Sequence, residues 1–184
     1  MDQNPPFDPR AVANCLLDFA WSYKINVTHL TIQKTIYFLH ARFLREYGRP
    51  LVSGFFEAWK YGPVHPQLWS SFKNAGSDPI RHHAYGLDIE TGAGKQLPEV
   101  EHNQVRLFIA TRSVEFLEME PHRLVGLSHA RNSPWDVLTN AEGDSRQYGA
   151  RISNELILER FHFHKISISN EEAIEEDIYE QPPS

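Results

Sequence analysis

Residues 28–72, THLTIQKTIYFLHARFLREYGRPLVSGFFEAWKYGPVHPQLWSSF, set how the rest of the chain must be arranged. Ile32, Ile36, Leu39, Phe43 and Tyr47 recur at steps of four, three, four and four, one face of a 3.6-residue period. Thr28 is placed to cap the start of that helix, and Gly48 to close it in a left-handed conformation. At ~1.5 Å per residue the helix is roughly 30 Å long, the width of a small domain, so it is expected to be the central core helix. Arg49-Pro50 then forces an extended or turn conformation, and Phe55–Tyr61 is rich in residues that suit a strand. Alternation would put Phe56 and Ala58 on the helix and turn Phe55, Trp59 and Tyr61 elsewhere, toward a groove, although core is the commoner fate of such side chains. Gly62-Pro63-Val64-His65-Pro66 reads as a rigid turn. Pro66 fits the first turn of a helix over Gln67–Asn74 that faces Leu68, Trp69 and Phe72 inward and stops at Gly76.

Moving outward, residues 1–7 read as a flexible lead-in, and Asp8-Pro9 as a cap with proline at the first helical position. Val12, Leu16, Phe19 and Tyr23 extend that helix to about Lys24, and the short link Ile25–Val27 sets it beside the next helix. Ser77–Glu99 is punctuated by Pro and Gly, and Leu87-Asp88-Ile89-Glu90 alternates ahead of Thr91-Gly92-Ala93-Gly94. A hairpin and a mobile loop are both compatible with it, and either can face a partner. Val105, Phe108, Ile109, Arg112 and Phe116 mark a further helix, and Pro121 can open the one carrying Leu124, Val125, Leu127 and Ser128. Ser133-Pro134-Trp135-Asp136 fits a capping box. Asn140–Gly149 is a polar loop, and Ile152-Ser153 opens a last helix in which Ile152 reaches Ile157.

Blocks of this sequence resemble the Panacea, or SocA-like, antitoxin domain of bacteria and their phages. They are Leu30-Thr31-Ile32-Gln33-Lys34 with Tyr37, Gly48-Arg49-Pro50-Leu51, and Glu57-Ala58-Trp59-Lys60-Tyr61-Gly62-Pro63-Val64. Leu127-Ser128-His129 followed by Pro134-Trp135 fits a later block, and Thr35 stands where the family usually carries leucine. The resemblance spans roughly residues 11–163, and several blocks in order make it specific. It implies an antitoxin that binds and restrains a toxin encoded by the neighbouring gene, on a scaffold the family pairs with unrelated toxins. Because the toxin is what varies, the binding residues are expected outside the shared blocks. Candidates are the Ser77–Glu99 insert with Tyr85, the strand residue Phe55, the Asn140–Gly149 loop, and the tail with Ile174 and Ile178.

A chain of 184 residues, 41% hydrophobic and 23% charged, suits one domain: predominantly α, α+β in loose terms, with a small strand or hairpin element. We expect residues 8–169 to form it and 170–184 to be a disordered or frayed acidic tail. Six of the 24 acids lie in residues 171–184, which leaves the body balanced against its 18 Lys and Arg. A neutral body is not built to meet phosphate backbones, so direct nucleic-acid binding is not expected, and neither is a separate DNA-binding module ahead of the domain. There is no membrane-spanning run and no signal peptide, and the single Cys15 fits a reducing compartment, so the cytoplasm is the expected location. A homo-oligomer remains compatible with this reading.

The chemistry-bearing residues favour no enzyme. The ten histidines include His82-His83 and His162 with His164, but no Cys or paired carboxylates stand beside them at ligand spacing, so no metal site is expected. Gly92-Ala93-Gly94-Lys95 lacks the spacing of a phosphate loop, and no cofactor is expected. Cys15 reads as a small buried hydrophobe. Ser128-His129 is the most enzyme-like feature, but a structural role for His129 at the helix end is favoured over a hydrolytic one. An adaptor that delivers its partner to a protease and a hydrolase using His129 stand as alternatives to simple occlusion of a toxin. A short helix at 170–179 could lie on a basic partner surface.

Overall fold

Asp8 begins the first helix, its carboxylate accepting the Arg10 N–H at 2.8 Å while Pro9 takes the position that needs no hydrogen bond. Burial alone would raise the Asp8 carboxyl, but hydrogen bonds from the Arg10 side chain and backbone hold it below its ordinary value. The computed structural model describes residues 4–140, 148–163 and 181–183. In chain order the elements are α1 (Pro9–Ser22), α2 (His29–Tyr47), β1 (Phe56–Trp59), β2 (Gly62–Val64), α3 (Pro66–Phe72), β3 (Tyr85–Leu87) and β4 (Gly94–Gln96). They continue with α4 (Asn103–Leu117), α5 (Pro121–Ser128), α6 (Pro134–Thr139), β5 (Ala150–Ile152) and α7 (Asn154–Arg160). The fold is mainly helical, with a few short antiparallel strands.

α2 is the axis of the molecule. Thr28 Oγ1 accepts the Thr31 N–H at its start, and Gly48, at φ 68°, closes it. α1, α3, α4, α5, α7 and β2 all pack on α2. Encircled in this way, it buries more than the Ile32–Phe43 stripe: His29, Gln33, Lys34, Thr35 and His40, off that stripe, are buried too. Tyr47, the last residue of the stripe, is 46% exposed because the helix runs out of neighbours there, though its ring still meets Phe43 and Phe108. Phe38 stacks on Phe116 with ring centroids 4.9 Å apart, joining α2 to α4. Arg112, expected on the inner face of α4, is exposed and pairs with Glu46; Ser113 takes the buried position.

The three-stranded sheet has the order β2-β1-β5, with β1 antiparallel to both neighbours. Two of its strands differ from the sequence expectation. The turn is Lys60-Tyr61, while Gly62-Pro63-Val64 is an edge strand, one of the few sheet positions where a proline without an N–H is tolerated. Ala150–Ile152, read as part of a loop and helix start, pairs with Phe56–Ala58 before Ser153 caps α7 by accepting the Leu156 N–H. Ile152 and Ile157 share the core as expected. Trp59, which alternation alone would turn toward a groove, has the commoner, buried fate at 3% exposed, with the Trp69 ring 5.6 Å away between centroids. In the Ser133 cap, Ser133 Oγ accepts the Asp136 N–H, but the Asp136 carboxylate accepts from the Asn132 N–H rather than from Ser133.

Ser77–Glu99 forms a hairpin, with Tyr85 opposite Gln96 and Leu87 opposite Gly94. Phe7 is buried and exchanges backbone bonds with Leu51 and Ser53, so the ordered fold begins before the α1 cap. Among the described residues no helix is long and apolar enough to cross a membrane.

Candidate functional site

The residues that carry the family resemblance converge on one buried polar layer between α2 and the β1–β2 hairpin. Gln33 and Lys34 are both 0% exposed. The Gln33 amide oxygen accepts the His65 N–H at 2.9 Å, and its nitrogen donates to the His65 carbonyl and to His29 Nε2, each at 3.4 Å. One side chain thus holds both backbone groups of the residue where β2 ends. The Lys34 ammonium donates to the Pro63 carbonyl at 3.1 Å. On a core helix these polar groups would be costly if unmatched, and the backbone of Pro63 and His65 matches them.

Histidines extend the layer. His40 Nε2 donates to Asn154 Oδ1 at 2.9 Å and its Nδ1 accepts the Val52 N–H at 3.4 Å, so the neutral ring ties α2 to α7 and to the loop after it. Burial pushes His40 down to about 4. Burial, with the nearby Lys34 ammonium, does the same at His29. His65, lowered chiefly by burial, donates to the Ser53 carbonyl at 2.9 Å. Tyr37 is fully buried, its ring edge-on to Phe56 at 5.3 Å between centroids.

The later block closes the layer from outside. Trp135 Nε1 donates to the Trp59 carbonyl at 2.7 Å, and Trp59 Nε1 donates to the Glu57 carboxylate at 2.8 Å. His129 stacks on Trp135 with ring centroids 3.5 Å apart and nearly parallel planes. Ser128 Oγ donates to the Val125 carbonyl at 2.8 Å, a helical back-bond. Gly62, at φ 102°, explains why nothing larger stands there: a Cβ would lie 2.2 Å from Ser128 Oγ and 3.1 Å from Lys34 Cε. Val64 and Pro134 are buried, and Tyr61 is half-buried at the turn. Phe55 is half-buried with the Arg151 guanidinium 3.9 Å from its ring centroid.

The β3–β4 hairpin is the opposite kind of place. Tyr85 is 58%, Leu87 74% and Ile89 100% exposed, the largest apolar display on one described segment. Sequence reasoning named Tyr85 and passed over Leu87 and Ile89, although their alternation with Asp88 and Glu90 was the available signal. At the hairpin's root a cleft of about 350 Å³ lies between it, α1 and α4, bordered by Asn14, Cys15, Asp18 and Arg106. Cys15 is half-buried there, and burial pushes its thiol up, away from nucleophilic character.

The adjacent histidines point apart: His83 Nε2 lies 2.8 Å from Asp18 Oδ1, while His82 leans on Phe72. Among the described residues no group of three His, Cys, Asp or Glu side chains is placed to hold a metal ion. His164, Ile174 and Ile178, most of the acidic tail and residues 141–147 of the Asn140–Gly149 loop lie outside the described residues.

A family model described as antitoxin SocA-like, Panacea domain matches residues 32–136, a span holding Gln33, Lys34, His65 and Trp135 of the buried layer and the exposed hairpin. Antitoxin SocA of Caulobacter vibrioides (strain NA1000 / CB15N) is 40% identical over 177 residues, covering 96% of this chain and 94% of that protein. No solved structure matches.

Proposed function

This chain belongs to the SocA-like Panacea antitoxin family, and from that premise we propose that it restrains a cognate toxin, the product of the adjacent gene, by direct protein–protein contact. The observation that carries the reading is the burial of Gln33 and Lys34, whose polar groups are engaged by the backbone of His65, just after β2, and of Pro63 within it. Residues so enclosed hold a scaffold together and leave recognition to the surface. The relative's printed name, an antitoxin, fits a scaffold of that kind. The chemistry of Ser128 and His129 supports no hydrolytic role: the hydroxyl donates to its own helix and the imidazole lies flat on Trp135.

The experiment is co-expression with the product of the neighbouring reading frame. We expect growth rescue and co-purification at a fixed ratio, with the partner's half-life in cells unchanged by the antitoxin. A partner that disappears faster when the antitoxin is present would replace occlusion by delivery to a protease. Failure both to rescue and to co-purify would sink the reading.

A further inference from the structure

The β3–β4 hairpin is held to the body along one edge and open along the other. Asn14 bonds both backbone groups of Ala84, accepting its N–H at 2.8 Å and donating to its carbonyl at 3.0 Å. Arg10 donates to the Tyr85 carbonyl at 3.3 Å. These bonds from α1 cap the β3 side. On the other side, Gly94, Lys95 and Gln96 are all exposed, and the sheet has no third strand among the described residues. An unpaired edge of this kind is a template for an added strand.

The faces are as unequal as the edges. The register places Ala84, Gly86, Lys95 and Leu97 on one face and Tyr85, Leu87, Gly94 and Gln96 on the other. Ala84 is buried, and Leu97 packs on the core and would lie 3.2 Å from a Cβ at Gly86, so the first face sits on the body at the root, while Lys95, nearer the tip, is exposed. The second presents Tyr85 and Leu87 to solvent, with Ile89 beyond them at the tip. Opposite Leu87 stands Gly94, where a Cβ would meet nothing within 4 Å. The outer face is therefore an apolar ridge beside a bare strip of backbone, into which a partner's side chain can be laid.

Charge says what kind of partner fits. Between Gly76 and His102 the chain holds the acids Asp78, Asp88, Glu90, Glu99 and Glu101 against the bases Arg81 and Lys95. Asp88 is fixed in the tip turn, accepting from the N–H groups of Glu90 and Thr91 and from the Thr91 hydroxyl. Glu99 at the root pairs only loosely with Arg106, at 3.7 Å. A second copy of this chain is a poor occupant: a two-fold axis through Lys95 would set lysine against lysine and bring the acidic flanks together.

We propose that β4 is the docking edge for an extended, basic segment of the toxin, which adds to it as a strand and lays apolar side chains over Gly94 against Leu87 and Ile89. This rests on the antitoxin reading and specifies its surface. The main-chain bonds of the added strand supply affinity, the apolar ridge supplies register, and the acidic flanks steer the encounter.

The test uses the full chain and the purified product of the neighbouring gene. Leu87→Asp/Ile89→Asp changes two exposed side chains, and Gly94→Arg fills the open strip without touching the body. Each is expected to weaken binding by ~100-fold while melting as the parent does, since anchors at the centre of an interface lose at least ~30-fold when removed. Glu90→Lys/Glu101→Lys is expected to lose ~10-fold, mainly in association rate, and the loss should fade at high salt. Leu107→Asp, an exposed apolar residue on α4, is the control and should bind as the parent does. Amide exchange at Gly94–Gln96 should slow in the complex.

If these variants bind like the parent and the β4 amides stay unprotected, the docking edge is wrong while the antitoxin reading stands. If the chain alone forms a dimer that the same variants dissolve, the occupant is a second copy and the proposal falls. If the parent neither binds nor rescues, both readings fall together.

Discussion

The chain contains two short antiparallel hairpins whose roles are set by what covers them. β1–β2 is held from several sides: Lys34 bonds its backbone and Gln33 that of His65 just after it, β5 pairs along β1, and Trp135 caps the Trp59 carbonyl. β3–β4 is secured only at its root, by Asn14, Arg10 and Leu97, and leaves Leu87, Ile89 and the β4 edge in solvent. On the proposed reading, a change in the first hairpin registers as lost stability and a change in the second as lost recognition.

Gly62→Ala should break that contrast most severely. Its φ of 102° disfavours any side chain, and its Cβ would overlap Ser128 Oγ. We expect a loss of about 3–5 kcal/mol in a denaturant titration. Next come the two lysines. Lys34→Ala leaves the Pro63 carbonyl without its donor and opens a cavity, at a cost of ~3 kcal/mol. Lys95→Ala on exposed β4 should fall within about 0.5 kcal/mol of the parent.

The buried layer also carries an acid dependence. His29 and His40 titrate at about 4 when folded, against 6.5 for an ordinary imidazole. Between those values the unfolded chain binds protons the folded one refuses. The contribution of these two histidines is thus complete above about pH 6.5, falls as the pH drops toward 4, and levels off below. The loss is at most ~3 kcal/mol per histidine, read from denaturation midpoints across that range. His40→Gln should remove part of the slope.

One substitution has the opposite sign. Thr35 is fully buried and its hydroxyl meets no hydrogen-bond partner among the described residues. Thr35→Val should therefore raise stability by ~1 kcal/mol, as a shift of the melting midpoint with the parent's fold retained.

Local signals made much of this legible. The caps at Asp8, Thr28 and Ser153, the glycine stop at Gly48 and the alternation before Gly92 each act within a few residues, and the elements they mark are present. β5 was hidden because three residues, Ala150–Ile152, have no period of their own and are strands only through β1, over ninety positions earlier. Pro63 read as a turn because its strand character depends on lying at a sheet edge. Gln33 and Lys34 were visible as motif letters, but their burial follows from helices packed all round α2, which a single apolar stripe does not reveal. Leu87 and Ile89 looked like ordinary strand residues until the register showed which face the body covers.

The decisive measurement is a paired one on Lys34→Ala and Leu87→Asp/Ile89→Asp, recording thermal stability and affinity for the neighbouring gene's product at a temperature where both are folded. The account predicts that the first loses several degrees and binds as the parent does, while the second melts as the parent does and binds ~100-fold more weakly. The reverse assignment, with Lys34→Ala folded but unable to bind and the hairpin variant fully competent, would contradict it.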